Sequence, residues 1–329
     1  MPIALCMTVL NEAASIDELF ASIASQTRPP DQIVVVDGGS RDDTVERVAR
    51  WERKGLPLLV MVHPGANISA GRNTAIASTD AELIAVTDGG VRLEPGWLAA
   101  LAAAFERAER PDVACGFFVP EPRSVFELAL GATTFPTPQE VRPESFLPSS
   151  RSVAFTRAAW RRVGGYPEWL DYCEDLVFDI ALREAGCRFV WAPEALVHLR
   201  PRPAPAAFFA QYYRYGRGDG KADLWRTRHS IRYATYLALP LGLLCARRQR
   251  WLLGPIGLAA AAYLARPYRR LLPALGSLGP RQRARAIAWV PLIRLIGDVA
   301  KMLGYPAGVA WRVRRGVGRE TLARKPRAG

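Results

Sequence analysis

The chain has 329 residues, of which 50% are hydrophobic and 23% are charged, so it is long enough to bury a full-sized core and to carry a further region. Its formal net charge of +13 is unevenly distributed, because residues 1–200 hold 19 basic and 27 acidic side chains whereas the remainder holds 25 basic and 4 acidic ones. A basic second part that is rich in apolar residues argues against a nucleic-acid partner and favours a protein that rests on an anionic membrane surface.

Neither the cysteines nor the N-terminus indicates an exported protein. The five cysteines show no CxxC or Cys/His spacing, so we expect neither a zinc site nor a disulfide framework. The N-terminus, MPIALCMTVLNE, lacks a basic segment, and its apolar run is too short for a secretory signal. The first domain is therefore expected to stay in the cytoplasm.

Strand-like and helical patterns alternate along the first part of the chain. Strands are predicted at 2–9, 32–36, 57–62 and 82–87, and helices at 15–25, 42–54, 67–78 and 95–107. This alternation predicts a mainly parallel sheet with helices on both faces. Ligands of such sheets bind beyond the carboxyl ends of the strands, so the residues there are the candidates for a site.

Three of these strand ends are polar: 8–12, 37–40 and 87–90. Asp37 can accept hydrogen bonds from a base or ribose, and the two glycines after it allow a turn close to a ligand. The chain contains neither GxGxxG after the first strand nor GxxxxGK[ST], so the dinucleotide and P-loop sites lose their main support. The strand ends therefore predict a nucleotide site of another kind.

Five segments carry a resemblance to a known family: MTVLNEAASI, VVVDGGSRDDT, ISAGRNTAIAST, TDGGVRLEPGWL and CEDLVFDIALREAG. In this order and spacing they resemble the family 2 glycosyltransferases, which depend on nucleotide sugars and have the GT-A fold, a Rossmann-like, mixed and mainly parallel sheet. The resemblance covers about residues 1–200. It implies that the nucleoside is held by Thr8, Asn11, Glu12 and Asp37, that Arg72 approaches the diphosphate, that Asp88 is the first acid of the family's DxD motif, and that Asp175 is the catalytic base.

The metal of that family is in doubt here, because Gly90 stands where the last acid of DxD usually ligates it. A departing nucleoside diphosphate still needs positive charge beside it. One solution is Mg²⁺ or Mn²⁺ on Asp88, with phosphate oxygens and waters completing its shell. Another candidate ligand is His198, after the last predicted strand, where similar enzymes often have a metal-binding histidine. Arg72 could instead supply the charge, and His198 could be an ordinary strand-end imidazole.

The acceptor half of the site is expected between residues 146 and 190. A strand that begins with polar residues is predicted at 149–155. A helix is predicted at 174–185, with Gly186 directly after its last residue. Glu174 and Asp175 begin this helix, where carboxylates also serve as simple caps. The order of the motifs favours catalysis: Asp175 takes the proton from an acceptor hydroxyl during an inverting displacement, and Glu174 is a structural or acceptor-orienting neighbour.

Beyond residue 200 we predict an amphipathic connector at 201–230 and a basic, apolar, helical, membrane-associated region at 231–329. In the connector, Gln211, Arg214 and Tyr215 resemble the QxxRW segment of membrane-bound members of the family, with Tyr215 in place of Trp. In those proteins the segment borders the donor and acceptor channel. An interfacial helix explains the same residues. 

Three apolar runs follow, at 233–246, 251–265 and 286–311. The first two are short for a full span, and the arginines between them oppose the positive-inside tendency, so a re-entrant or surface hairpin competes with two spans. The third is long enough but carries Arg294, Asp298 and Lys301. A buried soluble bundle is the remaining alternative.

The sequence thus predicts an inverting glycosyltransferase on the cytoplasmic side of the cell membrane, with a nucleotide-sugar donor, a hydroxyl acceptor that includes lipid-linked glycans, and no nucleic acid. Two other classes stay open. One is a protein that binds nucleotide sugar or scaffolds a glycan assembly without turnover, and the other is a nucleotidyltransferase, which the missing phosphate-binding loop disfavours.

Overall fold

The computed structural model describes residues 1–107 and 110–316, which form two compact units. The first unit comprises Met1–Val119 and Pro138–Leu199, and the second comprises Pro120–Thr137 and the described residues from Arg200 onward. Residues 317–329 of the predicted C-terminal region lie outside the described residues. The segment Pro120–Thr137 joins the second unit although the chain returns to the first one after it.

The elements as far as residue 199 are, in chain order, β1 (Ile3–Val9), α1 (Ile16–Ala24), β2 (Gln32–Asp37), α2 (Thr44–Arg53), β3 (Leu58–Val62), α3 (Ile68–Ala77), β4 (Leu83–Val86), β5 (Val91–Leu93), α4 (Trp97–Ala104), β6 (Val113–Pro120), α5 (Val125–Thr134), β7 (Val153–Thr156), α6 (Arg157–Val163), α7 (Glu174–Glu184) and β8 (Phe189–Leu199). The strands and helices predicted for the first 107 residues are all present. Strand β7 is shorter than predicted, because the polar residues before Val153 lie outside the ladder.

The strands form one eight-stranded sheet in the order β3-β2-β1-β4-β7-β6-β8-β5. Strands β3, β2, β1 and β4 are parallel, whereas β7 is antiparallel to both β4 and β6, and β5 is antiparallel to β8. The carboxyl ends of β1, β2 and β4 therefore lie at the same edge as the start of β7. The predicted α/β class with a mixed sheet is confirmed.

Both faces of this sheet are buried, as strands between two helical layers require. Successive residues of β1 point to opposite faces. Leu5 and Met7 belong to the core beneath α1 and α4, while Ala4 and Cys6 belong to the core beneath α3 and α7. The alternation fixes the register of β1, because a slip of one residue would exchange the two sets.

The second unit contains α5 and four further helices: α8 (Pro205–Lys221), α9 (Arg226–Ala246), α10 (Leu253–Leu275) and α11 (Pro280–Arg314). Helices α8 and α11 pack at backbone distance. A Cβ atom on Gly220 would overlap the Tyr305 carbonyl oxygen, and one on Gly304 would overlap that of Tyr213. Glycine is therefore required at both positions for this packing.

The three apolar runs of the second unit differ in how much of their apolar surface is buried. The run at 286–311 lies in α11 and buries one face, through Ala286, Val290, Ile293, Gly297, Ala300, Gly304 and Gly308. The first two runs lie in α9 and α10 and leave large apolar side chains exposed, among them Leu237, Leu241, Leu244 and Leu258. Within 1–107 and 110–316, no helix combines the length and the apolar character that a membrane crossing needs.

Candidate active site

The loops after β1 and β2 are joined by hydrogen bonds that involve residues predicted to bind a nucleoside. Asn11 has a left-handed backbone (φ 54°) and accepts a hydrogen bond from the Arg41 amide at 2.9 Å, and the Glu12 amide donates to Thr44 Oγ1 at 2.8 Å. Asp37 is 1% exposed and accepts from the Gly39 and Ser40 amides at 2.8 and 2.7 Å. Its carboxylate thus shapes the turn at the end of β2.

Helix α3 lies directly against the end of β1. Gly71 faces Thr8, and a Cβ atom at position 71 would overlap the threonine side chain. The close approach brings the next residue of the helix, Arg72, into the space between β4 and α7. The side chain of Arg72 is only 2% exposed.

Arg72 joins the two acidic halves of the site. Its Nη2 pairs with Asp88 Oδ1 at 2.6 Å, and its Nη1 pairs with Glu174 Oε1 at 2.8 Å. The ring of Tyr166 lies 5.2 Å from the guanidinium carbon. Asp88 and the acid pair at 174–175, which are far apart in sequence, thus flank one buried guanidinium group.

A second arginine, Arg151, lies just before β7 and contacts Asp88, although the sequence patterns did not identify it as a site residue. Arg151 Nε lies 3.3 Å from Asp88 Oδ2, and both side chains are about one quarter exposed, at 26% and 25%. Burial alone would raise the pKa of Asp88, but Arg72 and Arg151 outweigh it and hold the pKa below its usual value. Asp88 is therefore ionised and held on both of its oxygens.

Ser149 connects this arginine to Asp175. The Nη1 of Arg151 donates to Ser149 Oγ at 3.0 Å, and Ser149 Oγ donates to Asp175 Oδ2 at 3.4 Å. The other oxygen of Asp175 accepts from the Leu176 amide at 2.8 Å, as a carboxylate at a helix N-terminus does. Ser149 and Arg151 were missed because only the pairing of β7 with β4 brings them to Asp88.

Glu174 and Asp179 are buried beside Asp175, at 7% and 3% exposure. Burial and the neighbouring Asp175 raise the pKa of Glu174 to about 7, against the opposing charge of Arg72. Burial and Asp175 also raise the pKa of Asp179 well above its usual value. Its Oδ2 has no hydrogen-bond partner among the described residues. Glu174 and Asp179 therefore keep a proton to a higher pH than exposed carboxylic acids do.

The raised pKa of Glu174 predicts a pH-dependent stability. Between about 4.5 and about 7 the unfolded chain has released a proton that the folded protein keeps, so the free energy of unfolding falls as the pH rises through this window. We expect Glu174→Gln to flatten that slope in urea unfolding at the two ends of the window. The exposed acid Glu106 provides the control, since Glu106→Gln should leave the slope unchanged. An unaltered slope in Glu174→Gln would contradict the assignment.

The side chains predicted to hold a metal ion have other partners in the structure. The two oxygens of Asp88 are held by arginines, and His198 Nε2 contacts Glu94 Oε1. In the register of β5 and β8, His198 lies opposite Arg92. No group of three or more His, Cys, Asp or Glu side chains in the described part of the chain is arranged to hold a metal ion.

Gln211, Arg214 and Tyr215 lie on α8 in the second unit, and Gln211 Nε2 donates to the Tyr215 hydroxyl at 3.0 Å. They occupy one side of that helix at a spacing of three and four residues. Their role in an acceptor channel stays a prediction.

Comparison with known proteins agrees with the predicted family. Residues 4–164 match the family described as Glycosyl transferase family 2. The succinoglycan biosynthesis protein ExoA of Rhizobium meliloti is 28% identical over 283 residues, which are 78% of this chain and 81% of that protein. The O-antigen chain rhamnosyltransferase RfbN of Salmonella typhimurium is 24% identical over 229 residues, 66% of this chain and 72% of that one.

Two solved structures share the fold. The mannosyltransferase PcManGT of Pyrobaculum calidifontis, in complex with GDP-Man and Mn²⁺, has a TM-score of 0.54 at 18% identity and covers 96% of this chain and 88% of its own. S. aureus TarS 1–349 in complex with UDP-GlcNAc has a TM-score of 0.50 at 20% identity, with 96% and 92% covered. The mixed α/β fold described above is therefore GT-A-like.

Proposed function

We propose that this chain is a family 2 glycosyltransferase and that it moves a sugar from a nucleoside-diphosphate sugar to a hydroxyl group with inversion at the anomeric carbon. The observation that carries this proposal is the single buried guanidinium of Arg72, which pairs with Asp88 on one side and with Glu174 on the other. The acid at the donor strand end and the acid pair of α7 thus belong to one site.

In the proposed reaction the carboxylate of Asp175 accepts the proton of the acceptor hydroxyl while that oxygen forms a bond to the anomeric carbon. The bond from the anomeric carbon to the diphosphate breaks, and its electron pair leaves with the nucleoside diphosphate. Attack from the face opposite the leaving group inverts the centre. The position of Asp175 suits this role, because Ser149 links it to Arg151 and its neighbour Glu174 pairs with Arg72.

The acceptor that we propose is a hydroxyl of a growing bacterial glycan, including lipid-linked glycans. Support comes from two relatives, one a succinoglycan biosynthesis protein and the other an O-antigen chain rhamnosyltransferase. Donor base and sugar are to be identified by experiment. The test is the release of nucleoside diphosphate by the purified protein from a panel of nucleotide sugars, with and without glycan acceptors. Nucleotide-sugar binding without acceptor-dependent release would favour the non-catalytic alternative.

We further propose that α9 and α10 attach the protein to the cytoplasmic face of the cell membrane. Their apolar side chains are widely exposed, with Leu241 at 64% and Leu258 at 73%, and the part of the chain beyond residue 200 is strongly basic. An apolar hairpin with surrounding arginines suits the interface of an anionic bilayer.

Vesicle flotation tests this attachment. The protein is expected to float with anionic vesicles and to do so less at high salt, because part of the attraction is electrostatic. The double variant Leu241→Glu/Leu258→Glu should remain at the bottom of the gradient. The control is Leu59→Glu, which alters an exposed leucine of the first unit and should float like the native protein. Equal flotation of the hairpin variant would rule this attachment out.

A further inference from the structure

The donor site lacks an acid that its backbone could easily accommodate. A Cβ atom on Gly90 would meet only Glu12 Oε2, at 3.7 Å, and Gly90 does not have a left-handed backbone. An aspartate would therefore fit at position 90 without strain in the backbone. The fold therefore does not require a glycine at position 90. The site lacks a negative charge there although the backbone could carry an acidic side chain.

The positive charge in this region comes from arginines. Asp88 is held by Arg72 through Oδ1 and by Arg151 through Oδ2. Arg72 is enclosed and is also paired with Glu174, so it cannot turn outward without leaving that acid buried and unpaired. Arg151 is 26% exposed. Of the two guanidinium groups, only that of Arg151 is accessible to a molecule entering from solvent.

The start of β7 fixes where Arg151 can reach. The carbonyl oxygen of Arg151 accepts a hydrogen bond at 2.8 Å from the hydroxyl of Thr87, the residue directly before Asp88. The guanidinium carbon of Arg151 lies 5.9 Å from the ring of Phe118. Its Nη1 donates to Ser149, which in turn donates to Asp175. The guanidinium therefore lies between the acid of the donor strand end and the base of the acceptor half, where charge develops on the leaving group.

We propose that Arg151 binds the donor diphosphate and supplies the positive charge that a divalent cation would otherwise provide. This inference rests on the proposed function and adds the residue that serves its leaving group. A guanidinium can bind two phosphate oxygens at once, and it stabilises the nucleoside diphosphate as that group leaves with the electron pair of the broken glycosidic bond. The proton of the acceptor goes to Asp175, so the step is balanced without a metal.

The first test is binding of nucleoside diphosphates (UDP, GDP and dTDP) to the purified full-length protein, measured by calorimetry in excess EDTA and again with Mg²⁺ or Mn²⁺. The diphosphate that binds is expected to do so equally well in EDTA. If its affinity drops about tenfold or more in EDTA and returns with metal, the proposal is overturned. If none binds under either condition, the proposed function itself fails, and the inference fails with it.

The second test changes Arg151. Arg151→Gln is expected to weaken binding of the nucleoside diphosphate by about tenfold or more, the loss of a charge-assisted contact, and to leave binding of the matching nucleoside unchanged. Arg161→Gln removes an exposed arginine of α6 in the same unit and should alter neither. Unchanged diphosphate binding in Arg151→Gln would overturn the proposal. Equal weakening for nucleoside and diphosphate would also overturn it, because it would assign Arg151 a positioning role.

The third test restores the missing acid. In the double variant Arg151→Gln/Gly90→Asp, two carboxylates lie at the donor strand end without the accessible guanidinium between them. Its diphosphate binding is expected to be weak in EDTA and to recover with Mn²⁺, whereas Arg151→Gln alone should not respond to Mn²⁺. Recovery by Mn²⁺ in the single variant would mean that the native residues already hold a metal, contrary to the proposal.

Discussion

The variant Asp175→Asn is expected to lose about 10²- to 10⁴-fold in kcat, the range that a general base contributes. Asparagine keeps the shape of the side chain and an oxygen to accept from the Leu176 amide, so the start of α7 should be preserved. What it cannot do is accept the proton of the acceptor hydroxyl. The measurement is acceptor-dependent release of nucleoside diphosphate under saturating donor, together with calorimetric binding of the nucleoside diphosphate, which should not change.

A matched control lies at the other end of the same helix. Glu184 is exposed, and Glu184→Gln should retain the native kcat. Full activity in Asp175→Asn would show that another residue is the general base, and Glu174 would be the next acid to test. A loss of both kcat and diphosphate binding would mean that the substitution had disturbed the donor half.

The variant Arg72→Met is expected to lower the free energy of unfolding by about 3–5 kcal/mol, the range for removing one partner of a buried ion pair. It leaves Glu174 buried at 7% exposure without its cation and removes one of the two arginines from Asp88. Because burial already raises the pKa of Glu174 to about 7, this acid can take up a proton below that pH. The destabilisation should therefore be smaller below the pKa than above it.

Urea unfolding on both sides of that pKa measures this difference. The double variant Arg72→Met/Glu174→Gln should recover part of the loss, because the uncompensated charge is gone. For comparison, Arg47→Met removes an exposed pair with Asp17, whose side chains are 34% and 45% exposed, and should cost about 0–1 kcal/mol. If Arg72→Met lowered the free energy of unfolding no more than Arg47→Met does, Arg72 would not stabilise the buried acids in the way described here.

The sequence predicted the parallel half of the fold well, because that half depends on local patterns. Alternating strand and helix signals located β1 to β4 and their polar ends, and these ends do meet at one edge of the sheet. The antiparallel half depends on pairing between distant segments, which periodicity does not report. The proximity of Arg151 to Asp88 follows from the register in which Val86 lies opposite Val153, and this register appears in no single stretch of sequence.

The same reason explains two placements that the sequence patterns did not provide. Strand β8 pairs with β5 so that His198 lies opposite Arg92 and contacts Glu94, and its role as a metal ligand stays a prediction. The segment Pro120–Thr137 gave no composition signal, yet α5 packs in the second unit through Phe126, Ala129 and Leu130. The positions of residues that follow from apolar periodicity were predictable from the sequence. The positions that follow from pairing between distant segments were not.

Strands β4 and β7 are hydrogen-bonded neighbours, and the residues that leave one strand and enter the other carry Asp88, Arg151 and Ser149. The acid and the arginine that would serve the leaving group are therefore anchored to the same ladder, and Ser149 beside them donates a hydrogen bond to Asp175 at the start of α7. An enzyme built in this way need not close one lobe over another to assemble its reacting groups, and little reorganisation would be left for the moment of bond breaking. Turnover in such an enzyme would be governed by how fast substrates arrive and products depart.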